Sequence, residues 1–495
     1  MTPRPPPSTL AAALLGLAVL LPRSAGAAGA LELVGAPTSP NGLTSRTLGR
    51  GSETTYFNPA LMTRASPLLE IGWFTLRTAG SIELDERPPG IDVPEEVYDA
   101  QLVGADGAAR RLTLRPLPTA SLPRTRSDTE LTETRSFAVV GVVRPLFGGD
   151  VSFGFLGVLP LSGFLDERGF FADEREQYFS NRLDFERLGD RSGVASFTLA
   201  LGARVNRWLS VGAGVDLGFA TRTSFDLYVP DAADQSTVLL NPRLEATTSA
   251  APLLGIALRP SADLTTTATL HAPVGVEMEG ENRIRFWNYA YPDNEDHVLQ
   301  RYTFTQAVTP LRVGFGGAYA HGTRPSGARR WEVAAEVVIE RWSEYRDRHG
   351  ERPADRWSDT LRPTIGGNLD TDRGQFGLDL GYVPSPVPDQ VGRSNYVDNA
   401  RAVTSLSWEL PIHVLGTAVG VGLYLHGQWL VPRSVEKRDD AAYPVTDEFP
   451  DDARNFMTAE PIASAEGLQT NNPGYPGYSS RGHLLGAGFS VRLPQ

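Results

Sequence analysis

Oily and non-oily residues take strict turns along this chain in runs of about ten, and few folds accept that pattern. From Leu209 to Phe219 the apolar residues Leu209, Val211, Ala213, Val215, Leu217 and Phe219 alternate with Ser210, Gly212, Gly214, Asp216 and Gly218. Phe197, Leu199, Leu201, Ala203 and Val205 stand against Ser196, Thr198, Gly202 and Arg204. Val419, Val421, Leu423 and Leu425 stand against Gly420, Gly422, Tyr424 and His426. Leu485, Ala487, Phe489, Val491 and Leu493 stand against Gly486, Gly488, Ser490 and Arg492. Successive side chains of a strand point to opposite faces, so each run has one oily face and one polar or very small face.

Such segments fall near 68–79, 135–146, 151–162, 193–205, 209–220, 248–259, 263–276, 306–320, 330–340, 360–369, 375–384, 401–411, 416–428 and 481–493. The total is about 14, an even number as closed bacterial barrels require, and each is long enough to cross a hydrocarbon layer at a tilt. The connections alternate too. Gly148-Gly149-Asp150, Asn206-Arg207-Trp208 and Pro260-Ser261-Ala262 are short, whereas 80–134, 163–192, 221–247, 277–305 and 429–480 are long and rich in charge and proline. A soluble sandwich has no reason to sort its loops by side. The pattern predicts an all-β protein, a transmembrane antiparallel up-and-down β-barrel of about 14 strands over 67–495.

The beginning of the chain supports export. Arg4 precedes an apolar run from Leu10 to Leu21, followed by the small-residue sites Ala25-Gly26-Ala27 and Ala28-Gly29-Ala30. That order predicts a signal peptide over 1–28, and the run is too short to cross a bilayer. There is no cysteine among the 495 residues, which excludes disulfides, thiolate nucleophiles and cysteine–zinc sites. The formal net charge of −12 leaves no basic stripe for nucleic acid. Residues 29–66, with Pro37, Pro40 and Pro59, fit no strand template. They are either an exposed tail or a hatch folded into the lumen, as barrels of this size are often plugged.

Three passages resemble the outer-membrane long-chain fatty acid transporter family of Gram-negative bacteria. Tyr56-Phe57-Asn58-Pro59-Ala60-Leu61-Met62 is similar to the Asn-Pro-Ala signature that ends the family's N-terminal hatch. The stretch from Leu201 to Gly214 resembles a hairpin over a short periplasmic turn. Most specific is an ordered series: Arg341-Trp342-Ser343, Trp357-Ser358-Asp359-Thr360, Gly381-Tyr382-Val383-Pro384-Ser385-Pro386-Val387-Pro388-Asp389 and Asn395-Tyr396-Val397-Asp398. Two departures stand out. Gly51-Ser52-Glu53-Thr54-Thr55 replaces the family's acidic, alanine-rich stretch, and the chain ends Arg492-Leu493-Pro494-Gln495 rather than on an aromatic residue. The resemblance implies a 14-stranded barrel closed by a hatch at Asn58, Pro59 and Ala60. It also implies capture of hydrophobic ligands by the extracellular loops, and their release sideways through a gap at the third strand.

Loop 163–192 suits the entry site, because Phe164, Leu165, Phe170, Phe171, Tyr178 and Phe179 sit among charged residues. The same aromatics would equally pack the loop on the barrel rim or form an interfacial girdle. Pro160 lacks an amide donor, so a ladder is interrupted there. Either this contributes to the lateral opening or the strand already ends above the bilayer. By alternation Arg312 points into the lumen near mid-strand, with Glu332, Glu336 and Glu340 inward on the next strand. Paired with Glu336, Arg312 is structural; free, it holds a fatty acid headgroup by a charge-assisted hydrogen bond.

No nucleophile elbow, His-Glu-x-x-His or phosphate loop is present. The seven histidines have no ligand spacing, and Asp370, Asp372 and Asp379 are too loosely placed for calcium. The expectation is a non-enzymatic monomer without cofactor or metal, set among outer-membrane lipid and lipopolysaccharide. It would pass long-chain fatty acids or aromatic hydrocarbons inward down their gradient. A general porin for polar solutes and a structural or adhesive barrel are the alternatives.

Overall fold

A computed structural model of the chain describes residues 29–85, 101–103, 109–111, 129–161, 185–188, 195–230, 237–287, 295–322, 330–346, 352–353, 355–389, 396–414, 417–437 and 477–494. The expected signal peptide, 1–28, lies outside them. The strands are β1 (Leu68–Leu84), β2 (Gln101–Val103), β3 (Ala109–Arg111), β4 (Thr129–Leu146), β5 (Val151–Pro160) and β6 (Ser196–Arg204). Next come β7 (Leu209–Val229), β8 (Leu239–Leu258), β9 (Leu264–His271), β10 (Val274–Trp287), β11 (Glu295–Thr309) and β12 (Arg312–His321). The chain ends with β13 (Arg330–Glu340), β14 (Thr360–Thr371), β15 (Gly374–Val383), β16 (Arg401–Val414), β17 (Thr417–Glu436) and β18 (Gly477–Pro494).

Fourteen of these close on themselves in the order β1, β4–β9, β12–β18 and back to β1, every neighbouring pair antiparallel. The first and last strands seal the wall from Leu68↔Pro494 to Leu84↔Tyr478. Closure leaves no edge with unpaired amides around the ring. Each of the fourteen alternating segments of the sequence contains or overlaps one barrel strand.

Two of the strands are shorter than their segments. Segment 263–276 ends as β9 at His271, and segment 306–320 begins as β12 only at Arg312. Pro273 and Pro310 stand in the breaks, where a residue without an amide donor cannot continue a ladder. Between them β10 and β11 form a hairpin outside the ring, in the connection expected to be loop 277–305. β10 runs parallel to the extended end of β7, from Glu279↔Arg222 to Phe286↔Val229. Among the described residues, strands β2 and β3 pair only with each other.

The oily face is the outer one. Ile71, Trp73, Phe315, Ile365, Leu378, Leu406, Leu425 and Phe489 are all exposed. Registers such as Leu378↔Leu406, Leu406↔Leu425 and Trp73↔Phe489 set them side by side around the wall. So wide an apolar band is intolerable in water and suits a hydrocarbon surround. The inner face carries Ser210, Asp216, Tyr424, His426 and Ser490, all buried.

What buries them is the chain's own leading segment. It consists of α1 (Gly29–Val34), α2 (Ser45–Leu48), α3 (Thr54–Phe57) and a 3₁₀ turn, Pro59–Arg64. Helices this short do not hold themselves together in water, so their order comes from the wall around them. Tyr56, Leu61 and Met62 are fully buried. The segment fills the lumen as a hatch, and the exposed-tail alternative is set aside.

Candidate functional site: the junction of hatch and wall

The hatch rests on a patch of wall from which side chains have been removed. A Cβ built on Gly202 would strike the Pro59 carbonyl, one on Gly212 the Pro59–Ala60 peptide, and one on Gly255 the Asn58 side chain. These glycines lie on β6, β7 and β8, where Gly202 pairs with Gly212 and Gly212 with Gly255. Asn58 shapes the piece that lands there. Its backbone is extended, its Oδ1 accepts from the Ala60 amide at 3.2 Å, and Pro59 at the first position presets the turn. Its amide nitrogen also donates to the Arg46 carbonyl at 2.9 Å. Asn58 and the Pro59–Ala60 peptide therefore form one contact between hatch and wall.

A second anchor is electrostatic. Glu32, on α1, accepts from Arg362 of β14 at 2.7 Å, from Arg46 of α2 at 2.5 Å and from the Tyr56 hydroxyl at 2.8 Å. Arg312 of β12 lies 3.6 Å away. Burial pushes the Glu32 carboxyl up, but Arg312, Arg46 and Arg362 together overcome this and hold it well below the usual carboxylate range. Burial, reinforced by the neighbouring Glu32 charge, pushes the Tyr56 hydroxyl well above its ordinary value, so it remains a donor.

The wall supplies its own acid. Glu340 lies 3.4 Å from Arg312 and 3.6 Å from Arg362. Arg312 is thus buried and paired, and it sits at the end of its strand rather than near the middle. Glu336 is not its partner, because the register sets Arg312 opposite Glu340 and Glu336 opposite Gly316. Glu332, Glu336 and Glu340 all face inward, as alternation predicts.

Above this network the ordered motif series collapses into one aromatic cap. Tyr345 and Trp357 stack with ring centroids 3.6 Å apart; Trp342 and Tyr396 pack against Trp357 at 5.7 and 5.8 Å. The cap is tied to the charges below, since the Trp342 indole donates to Glu340 at 3.1 Å and Arg187 lies over the Trp342 ring at 4.9 Å. Between cap and hatch is a cavity of about 80 Å³, bordered by Glu32, Arg187, Arg312, Glu340, Arg362 and Arg401 and by Trp342 and Tyr345.

No family model matches the chain, and no curated protein matches it. Solved structures do. A Pseudomonas aeruginosa FadL homologue aligns over 96% of this chain and 99% of its own, with a TM-score of 0.54 and 13% identity. This chain has the FadL fold. The Pseudomonas putida toluene transporter TodX aligns over 91% of this chain and 97% of its own, at 11% identity and a TM-score of 0.44. For the Ralstonia pickettii toluene transporter TbuX the figures are 95%, 99%, 9% and 0.40.

Other expected positions fall variously in this FadL-type barrel. Phe164, Leu165, Phe170, Phe171, Tyr178 and Phe179 lie outside the described residues. Downstream in the same loop, Phe185 is buried and bridges to Val397, with the Glu186 amide donating to the Val397 carbonyl at 2.8 Å. Pro160 is the last residue of β5. It pairs with Phe137 of β4, whereas the β5–β6 ladder stops at Val158↔Ser196. The Leu161 amide donates to Ser136 of β4 at 2.7 Å. Amides alternate sides along a strand, so the missing donor of Pro160 faces the β6 side, where pairing has ended.

The sequence singles out neither Glu32 nor Arg362, and it marks Arg492 only as a polar-face residue in the altered chain end. Arg492 joins hatch to wall near the chain's end, donating to Glu409 at 2.5 Å, to Glu70 at 3.2 Å and to the Thr38 carbonyl at 2.7 Å, with Glu53 at 3.7 Å. Both departures from the family pattern therefore meet at one place, since Ser52 also donates to Glu70. Asp379 accepts from the Leu43 amide and the Thr44 hydroxyl, both at 2.8 Å, holding the hatch just before α2. Alternation could have pointed to Arg362, between Leu361 and Pro363; nothing local marks Glu32.

Proposed function

We propose that the protein is an outer-membrane channel for passive uptake of hydrophobic molecules, either long-chain fatty acids or aromatic hydrocarbons. The observation that carries this reading is the plugged lumen within an oily wall. A filled interior serves a polar solute poorly, whereas a hydrophobic one is drawn to apolar surface at roughly 25 cal/mol per Å² buried. Loop 163–192, on the long-loop rim, faces outside and captures ligand; the short-turn rim faces the periplasm. The aromatic cap and the cavity beneath it receive the ligand next, and Arg312 with Arg362 meets a carboxylate when one is present.

Exit is lateral. β5 and β6 stop at Pro160 and Ser196, while β4 continues from Ser136 to Thr129, and the edge of β7 that β6 leaves at Gly218 is taken up by β10 from Arg222 to Val229, so that a notch lies between β4 and β10. That notch, with Pro160 at its corner, supports release through the wall once the hatch shifts. The test is uptake of labelled oleate and labelled toluene by a transport-deficient outer-membrane host expressing the chain. Uptake of at least one above the empty host is expected, and failure of both, with the barrel folded in the membrane, contradicts the reading.

A further inference from the structure

We propose that Glu32 is a built-in stand-in for the ligand's headgroup, and that a ligand carboxylate releases the hatch by taking its place on Arg312 and Arg362. This rests on the channel reading above and adds to it a trigger and a selectivity. Ligands with an anionic head open the hatch themselves; uncharged ones of the same shape do not.

The argument is one of ownership. The four groups around the Glu32 carboxylate divide between two bodies. Arg46 and Tyr56 belong to the hatch and travel with it, at 2.5 and 2.8 Å from the carboxylate. Arg362 and Arg312 belong to the wall, at 2.7 and 3.6 Å. When α1 withdraws, Glu32 keeps Arg46 and Tyr56, so no lone carboxylate is stranded. The wall is left differently: among the described residues, Arg312 and Arg362 then share Glu340 alone, at 3.4 and 3.6 Å. Two buried guanidiniums facing one carboxylate form a vacancy for one anion, and leaving it empty is costly.

The cavity gives the anion its approach. It touches Glu32 and both wall arginines, and at about 80 Å³ it has room for a carboxylate group. A carboxylate group enters that space while the hatch is still seated and reaches the wall arginines before α1 moves. Headgroup arrival thus comes first and hatch withdrawal second. A ligand shifts such an equilibrium only by its preference for the open state, and the arginine pair supplies that preference solely to anions.

The chain has no cysteine, so Ala36→Cys places a single thiol on the hatch, at a site buried in the seated state. Maleimide labelling of the folded, detergent-solubilised full-length barrel is followed with laurate or with 1-dodecanol, and binding of each is measured separately by displacement of a fluorescent probe. Laurate is expected to raise the labelling rate about tenfold and dodecanol to leave it unchanged. In a Glu32→Gln background labelling is fast from the start and laurate adds nothing. Laurate that binds without accelerating labelling, or dodecanol that accelerates it equally, overturns the exchange while leaving the channel reading intact. Binding of neither laurate nor dodecanol overturns the exchange too, and the channel reading then stands or falls on the toluene and oleate uptake test alone. The laurate–dodecanol comparison needs no Glu32 variant, so it decides the matter even where E32Q does not fold.

Discussion

The Glu32 carboxylate and the Arg362 guanidinium meet at 2.7 Å across 330 residues of chain, one at the start of the hatch and the other on β14. Arg362 also donates to the Glu32 backbone carbonyl at 3.2 Å, so it holds both the side chain and the main chain of α1. Arg362→Ala removes one partner of a buried pair, a change that costs about 3–5 kcal/mol in other proteins. Here Arg46 and Arg312 remain as partners, so the loss falls toward the lower end. Hydrogen exchange of the hatch amides is expected to speed up severalfold, with exchange in the β1–β18 seam unchanged.

Acid acts on the same contact. Glu32 is held well below the ordinary value of 4.5, so its contribution is complete above that value. It is lost as the pH falls from there through the depressed folded-state pKa. Hatch protection is therefore constant between about pH 7 and pH 5 as far as Glu32 is concerned, and declines only in stronger acid. The Glu32→Gln protein lacks this step. Hydrogen exchange across a pH series reads the difference.

The glycine patch makes a steric prediction. Gly212→Val places a branched side chain where the Pro59–Ala60 peptide lies, and backbone on both sides leaves it nowhere to go. Ion conductance in planar bilayers is expected to rise as the hatch is dislodged. Gly317→Ala serves as control, since nothing lies within 4 Å of a Cβ there.

Replacing Pro160 by alanine restores an amide donor at the corner of the notch. Uptake of the transported ligand is expected to slow with folding unaffected; unchanged uptake removes Pro160 from the lateral route. For Arg312→Ala, binding of a fatty acid is expected to weaken more than binding of a hydrocarbon, and equal effects on both argue against a headgroup role.

Alternation carried most of the architecture because a barrel wall separates two unlike media, and each residue must suit one of them. That demand is local, so it is written in neighbouring residues such as Leu423, Tyr424, Leu425 and His426. It lapses where the chain leaves the wall. β10, with Glu277, Glu279, Glu281, Arg283 and Arg285, has no hydrocarbon to face and looks like a charged loop. The breaks at Pro273 and Pro310 were present in the sequence but were overrun by the alternation on either side. In the hatch, Asn58-Pro59-Ala60 was legible as local turn chemistry. The Glu32–Arg362 contact was not, because a partner 330 residues away leaves no mark on its neighbours.

The most direct measurement is single-channel conductance of the intact protein beside one lacking residues 29–64. A barrel shut by its own leading segment passes almost no ions until that segment is removed, and then conducts steadily. Equal, porin-like conductance from both proteins would contradict the account.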